Sequence, residues 1–113
     1  MSKYGAISTD KDGYHFDSLA EARRYQELML LERADTIHNL QIHPVYVIWE
    51  HCNPTTHNRE TIKYEADFAY QEGGAMVVED VKGGTATQTA VFRLKAKMFR
   101  AKYPDIDFRI VEG

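Results

Sequence analysis

One cysteine, Cys52, is all the thiol chemistry this chain of 113 residues contains. A lone cysteine excludes an intrachain disulfide and suits a reducing, cytosolic compartment. Apolar runs are short. None approaches the roughly 18 residues of a membrane-spanning helix, so no membrane partner is expected. The opening MSKYGAISTDKDGYHF has no apolar stretch of the kind a secretory signal needs. There is no glycine-rich loop of the P-loop or dinucleotide type, no internal repeat and no low-complexity segment. Ser-His-Asp and Cys-His catalysis leave no local signature. His51, Cys52 and His57 share one stretch, with His38 and His43 upstream, but their spacing matches no familiar zinc pattern. Positive charge is also short overall. The net charge of −3 at first argues against a polyanionic partner.

What is present points to a folded domain. Hydrophobic residues make up 43% and aromatics 12%, enough to exclude disorder. A chain of this length folds as one domain, 1–113, burying roughly two thirds of its unfolded surface. The charge is unevenly spread. From Lys82 to Pro104 there are six Lys or Arg and no acid. Such a run is either a solvated basic helix face or a surface that steers a phosphate backbone.

Residues 1–16 are polar and read as an arm or a short hairpin. A helix is predicted from Asp17 or Ser18 to about Ala34, with Leu19, Ala22, Tyr25 and Met29 as its apolar stripe. VYVIWE (45–50) reads as a strand and HCNPTTHNRE (51–60) as a polar loop. TIKYEADFAY (61–70) is a second strand, QEGG a turn and AMVVEDVK (75–82) a third strand, hairpinned with the second. Gly83 and Gly84 break it. Thr85-x-x-Gln88 offers a capping box for a second helix reaching about Lys102, which Pro104 stops. DFRIV (107–111) is the last strand. The order αβββαβ predicts an α/β fold with a mixed central sheet flanked by helices.

The third strand, apolar enough to be a core strand, also carries Glu79, Asp80 and Lys82. Alternation puts Met76, Val78, Asp80 and Lys82 on one face and Ala75, Val77, Glu79 and Val81 on the other. Asp67 is a second acid set among Tyr64, Ala66, Phe68 and Tyr70. Carboxylates on neighbouring strands can hold Mg²⁺, a hard cation that takes a few oxygen ligands. A lysine beside them can orient or help deprotonate an attacking water, or stabilise charge on a phosphate. An exposed cross-strand ion pair between Asp80 and Lys82 is the plainer alternative. Glu21 is a further candidate. It completes a Ser18-to-Glu21 capping box and lies roughly 40° from Tyr25, at the edge of the stripe. In the second helix, Val91, Leu94, Met98 and Ala101 form the predicted apolar face, with Phe92 and Phe99 beside it and Lys95 inside it. Lys95 there must snorkel or meet an anion. Arg93, Lys97 and Arg100 fall on the opposite, solvent side.

Glu21, Asp67 and Asp80-Val81-Lys82, on a helix and two strands with a helix and strand following, resemble the PD-(D/E)xK nuclease superfamily. More closely, F-D-S-x-x-E-A-R-R-Y (16–25), Y-E-A-D-F (64–68) and V-V-E-D-V-K-G (77–83) are similar to a small phage-associated family of Holliday-junction-resolvase-like nucleases. The likeness runs from about Tyr14 to Val111, with Ala66 where the superfamily often has proline. It implies a restriction-endonuclease-like core and a metal-dependent endodeoxyribonuclease. It also implies metal ligation (Mg²⁺ or Mn²⁺) by Asp67, Asp80, the Val81 backbone carbonyl and Glu21, with Lys82 as the catalytic lysine. Lys95 matches a position that faces phosphate in several branches. Arg93, Lys97 and Arg100, with Lys3 and Lys11 of the arm, would hold flanking phosphates of duplex or branched DNA. A resolvase makes two cuts, which implies a homodimer. The setting implied is the cytoplasm, that of the bacterial host for a phage or prophage protein. A strand bulge at Glu79 would exchange it for Asp80 as the ligand. The alternatives are a non-catalytic DNA-binding module and a subunit of a phage replication or packaging complex.

Overall fold

Ten elements make up the computed structural model, which describes residues 8–84 and 87–113. A hairpin of β1 (Thr9–Lys11) and β2 (Tyr14–Phe16) precedes α1 (Leu19–Arg33). Then come β3 (His38–Ile42), β4 (Val45–Cys52), β5 (Arg59–Glu65), β6 (Phe68–Glu72) and β7 (Ala75–Lys82), followed by α2 (Ala90–Lys102) and β8 (Asp107–Glu112). Of the arm or hairpin expected for residues 1–16, a hairpin spans 9–16, and residues 1–7 lie outside the described residues. Lys3 and Thr85 lie outside the described residues.

Four strands form a mixed sheet in the order β3-β6-β7-β8. β3/β6 and β6/β7 are antiparallel, and β7/β8 is parallel, joined through α2. The β6–β7 turn is made by Gly73 and Gly74, both at positive φ (58° and 83°), which is what a two-residue hairpin requires. β4 and β5 pair separately.

The expected single strand over 61–70 is instead two. The chain bends at Ala66–Asp67, and its partner bends opposite, at His43–Pro44. Ile42 faces Phe68 and Val45 faces Glu65, so the register passes unbroken through the bend. Two backbone bonds carry it: His43 N–H to the Asp67 carbonyl (3.0 Å) and Ala66 N–H to the Pro44 carbonyl (3.0 Å). A long antiparallel ribbon thus has one half in the sheet and the other half turned away. β3 was not foreseen because HNLQI is largely polar and sits at a sheet edge.

The helices cover opposite faces of the sheet. α1 is capped by Ser18, whose Oγ accepts the Glu21 N–H at 3.2 Å. It buries Ala22, Tyr25 and Leu28 against Phe16, Phe68, Tyr70, Val77 and Val81. α2 begins at Ala90 with Thr89 as its cap, later than a Thr85–Gln88 box would place it. Its buried residues are Phe92, Ala96 and Phe99, packed on Ile48, Tyr64, Val78 and Phe108. This corrects the expected apolar face. Val91 and Leu94 are 62% and 59% exposed. The aromatic rings decide the orientation: Phe92, Ala96, Phe99 and Tyr103 fall within roughly 60° of each other around the helix, and three large rings bury more area than a valine and a leucine.

Candidate metal centre at the strand bend

The bend in the ribbon opens a polar cavity of about 470 Å³ at the end of the sheet. Each wall comes from a different element. Glu21 projects from the first turn of α1, held there by the Ser18 cap. Asp67 sits on the bend itself. Asp80 and Lys82 come from the end of β7, on the face that alternation assigns to them. Asp17 and Glu65 complete an acidic lining of five carboxylates, against which Lys82 is the one ammonium among the described residues. Two histidines, His15 and His43, also line it. An excess of anionic oxygens in a concave, partly desolvated site attracts cations.

The hydrogen bonds sort the acids. Asp67 Oδ2 accepts the Val81 N–H at 2.6 Å, so the peptide after Asp80 orients the bend carboxylate. Asp80 is buried, with 4% of its surface exposed. Its Oδ1 pairs with Lys82 Nζ at 2.9 Å, and its Oδ2 accepts the Tyr64 hydroxyl. Lys82 Nζ also lies 4.2 Å from the centre of the Phe92 ring, a cation–π contact that ties the lysine to α2. The Asp80–Lys82 pair is therefore a partly buried one, its lysine 23% exposed, and the exposed cross-strand pair is set aside.

Crowding of like charges shows in the titration. Burial, followed by the Asp80 and Glu21 carboxylates, pushes the Asp67 pKa up to about 8, against the opposing pull of the Val81 N–H and Lys82. Glu21 is also raised, by burial first and then by Asp17. Carboxylates that resist ionising side by side form a donor set that a bound cation relieves. Donor atoms of Glu21, His43 and Asp67 lie within 4.8 Å of one another, close enough to share one ion. The residues present thus fit a divalent metal.

Glu79 is placed elsewhere. β7 runs without a bulge, and Glu79 points to the α1 face, fully buried. Arg24 donates to both of its oxygens, from Nε at 2.8 Å and Nη2 at 2.7 Å, and the Tyr70 hydroxyl adds a third bond. Its charge is matched within the core, and it has no access to the cavity.

The basic candidates on α2 are not in the lining. Lys95 is half-buried at the edge of the helix's packed face, and its Nζ donates to the Lys63 carbonyl at 3.1 Å. It does not lie inside an apolar stripe, and it caps a β5 carbonyl rather than facing the carboxylates. Arg93 bonds the Gln88 carbonyl at 2.6 Å, Arg100 lies over Phe108 at 4.9 Å, and both are exposed, as is Lys97. Val81 reaches the site through its N–H, while its side chain lies in the α1-side core.

Sequence reasoning set His43 aside because its spacing matched no zinc pattern, and passed over His15. His15 Nδ1 donates to the Asp10 carboxylate at 2.7 Å and its Nε2 sits 3.6 Å from Asp17, and the Asp10 hydrogen bond raises its pKa. His43 stands one residue past β3, where only the bend brings it opposite Asp67. The His-Pro dipeptide before a strand was the available signal, since proline restricts the residue before it and marks a turn in direction.

Among the described residues no helix is long and apolar enough to cross a membrane. Comparison with curated proteins and with solved structures gives no match. The chain belongs to the family described as "Protein of unknown function (DUF1064)", whose model matches residues 1–112.

Proposed function

We propose that the protein is a divalent-metal-dependent DNA endonuclease with a restriction-endonuclease-like core, selective for branched or otherwise distorted DNA. One observation carries this reading: Glu21, Asp67, Asp80 and Lys82, far apart in sequence and set on a helix, a bend and a strand, line one cavity. The α1, β6–β7, α2, β8 succession with a parallel β7/β8 pair supports the same resemblance. Asp67 and Asp80, with Glu21 and the Val81 carbonyl, would hold Mg²⁺ or Mn²⁺. The metal supplies Lewis-acid stabilisation of the charge that builds on a phosphodiester during hydrolysis.

The chain's own groups perform the rest. Lys82, held against Asp80 and the Phe92 ring, presents an ammonium to the attacked phosphate and stabilises its growing charge. Val81 N–H and Tyr64 OH fix the Asp67 and Asp80 carboxylates so that little reorganisation is needed when substrate arrives. Exposed Arg93 and Lys97, on the outside of α2, contact flanking phosphates and position the duplex without reading its sequence. Cutting both strands of a junction would require two copies of the chain. The absence of a membrane-crossing helix among the described residues is compatible with work in the host cytoplasm.

The test is cleavage of labelled duplex, flap and four-way-junction DNA in Mg²⁺, Mn²⁺ or EDTA, beside Lys82→Ala. Metal-dependent cutting that falls by a factor of about 10² or more in the variant is expected. A second reading, a DNA-binding module without catalysis, draws on the basic residues of α2 lying outside the cavity. It predicts binding with no cutting in any metal, and Asp67→Ala then changes nothing.

A further inference from the structure

We infer that His43 is a ligand of the metal at this site, beside Glu21 and Asp67, and that it biases the protein towards Mn²⁺ over Mg²⁺. The inference rests on the metal-site reading above and adds a nitrogen donor to a set so far made of oxygens.

Three observations converge on His43. Its donor atom and those of Glu21 and Asp67 lie mutually within 4.8 Å. Asp80 lies outside this triad, its oxygens bonded to Lys82 and Tyr64. The backbone at His43 is also unusual. Its φ is 54°, the left-handed region, in a residue that is not glycine and precedes Pro44. Such a conformation is disfavoured for a residue with a Cβ, and it persists only where the surroundings hold it. They do so here: the His43 N–H is bonded to the Asp67 carbonyl (3.0 Å), and the ring packs on the fully buried Phe16 at 5.6 Å. The strained residue and the bend carboxylate are locked to each other through the main chain, so the imidazole lines the acid cavity.

The chemistry gives the preference. Mg²⁺ is a hard ion that binds oxygen and sheds water reluctantly. Imidazole suits first-row transition ions, so a nitrogen donor in a carboxylate set favours Mn²⁺ relative to Mg²⁺.

The experiment is calorimetric titration of the full chain with Mn²⁺ and, separately, Mg²⁺, on the parent, His43→Asn and Asp67→Asn. Pulsed EPR of the bound Mn²⁺ is recorded alongside for ¹⁴N coupling. Asparagine is chosen because it tolerates a left-handed backbone, and circular dichroism confirms that each variant is folded. The expected result is imidazole nitrogen coupling in the parent that disappears in His43→Asn. Mn²⁺ affinity should fall about tenfold or more in that variant, Mg²⁺ affinity should fall less, and neither ion should bind Asp67→Asn. Binding of both ions that is abolished in Asp67→Asn but unchanged in His43→Asn, with no nitrogen coupling, overturns the role of His43 and leaves the metal site standing. No binding of either ion by the parent overturns both.

Discussion

Glu79 and Asp80 are neighbours in the chain with opposite fates. Asp80 meets Tyr64 and Lys82 at the cavity, and Glu79 meets Arg24 and Tyr70 in the core. Strand alternation made that division legible from the sequence. The identity of Glu79's partner was not, because Arg24 reaches it from 55 residues away. A fully buried carboxylate with a bidentate guanidinium is costly to break from one side only. Arg24→Ala is therefore expected to cost about 3–5 kcal/mol in urea unfolding, since it strands a charge in the core. Arg24→Ala combined with Glu79→Gln should cost clearly less than the two single changes added together. Additive costs would mean that the pair is not coupled. His43 marks the limit of such reading at this scale: nothing in the residue types says that it shares a cavity with Glu21 and Asp67, which only the bend brings about.

At the scale of elements, strands with continuous apolar character were readable and polar ones were not. The limits of β7 agree with the reading at both ends, and β8 and α1 to within a residue or two. β3 and the division between β5 and β6 escaped, because a bend at Ala66–Asp67 leaves no mark in hydrophobic periodicity. α2 was placed correctly at its C-terminus by Pro104, yet turned onto the wrong face. Val91 and Leu94 point outward while the aromatic rings point inward, and a period count weighs both alike. The outer side carries Arg93 and Lys97. If these hold phosphates, converting both to alanine lowers the slope of log affinity against log salt for duplex DNA by roughly 0.9 for each phosphate that is no longer neutralised. An unchanged slope would remove α2 from the DNA interface while leaving the cavity untouched.

For the molecule as a whole, the crowded cavity is a cost to folding when no cation is present. An unperturbed aspartate titrates near 3.8, and Asp67 rises to about 8 in the fold. The folded form therefore holds its proton over a range where the unfolded chain has released it. Stability falls as pH rises from 3.8 to about 8, and the penalty is fully present above that. In EDTA, the thermal midpoint of the parent should drop through this window relative to Asp67→Asn. The variant's amide can still accept the Val81 N–H, and it has no charge to desolvate. Midpoints that keep a constant difference across the window would show that Asp67 ionises normally. The net charge of −3 gave no hint of this, because overall balance says nothing about five acids sharing one cavity.

The parallel pairing of β7 with β8 has a consequence for how the chain is made. β7 finds β6 at once, across a two-glycine turn, but meets β8 only after all of α2 has been synthesised. At roughly 5–20 residues per second, the nascent protein spends on the order of seconds with one side of β7 open to any extended segment nearby. Charged side chains on an open strand are a common defence against such misjoining. Glu79, Asp80 and Lys82 stand on that strand, and charges there disfavour its pairing with a second unfinished copy of the chain.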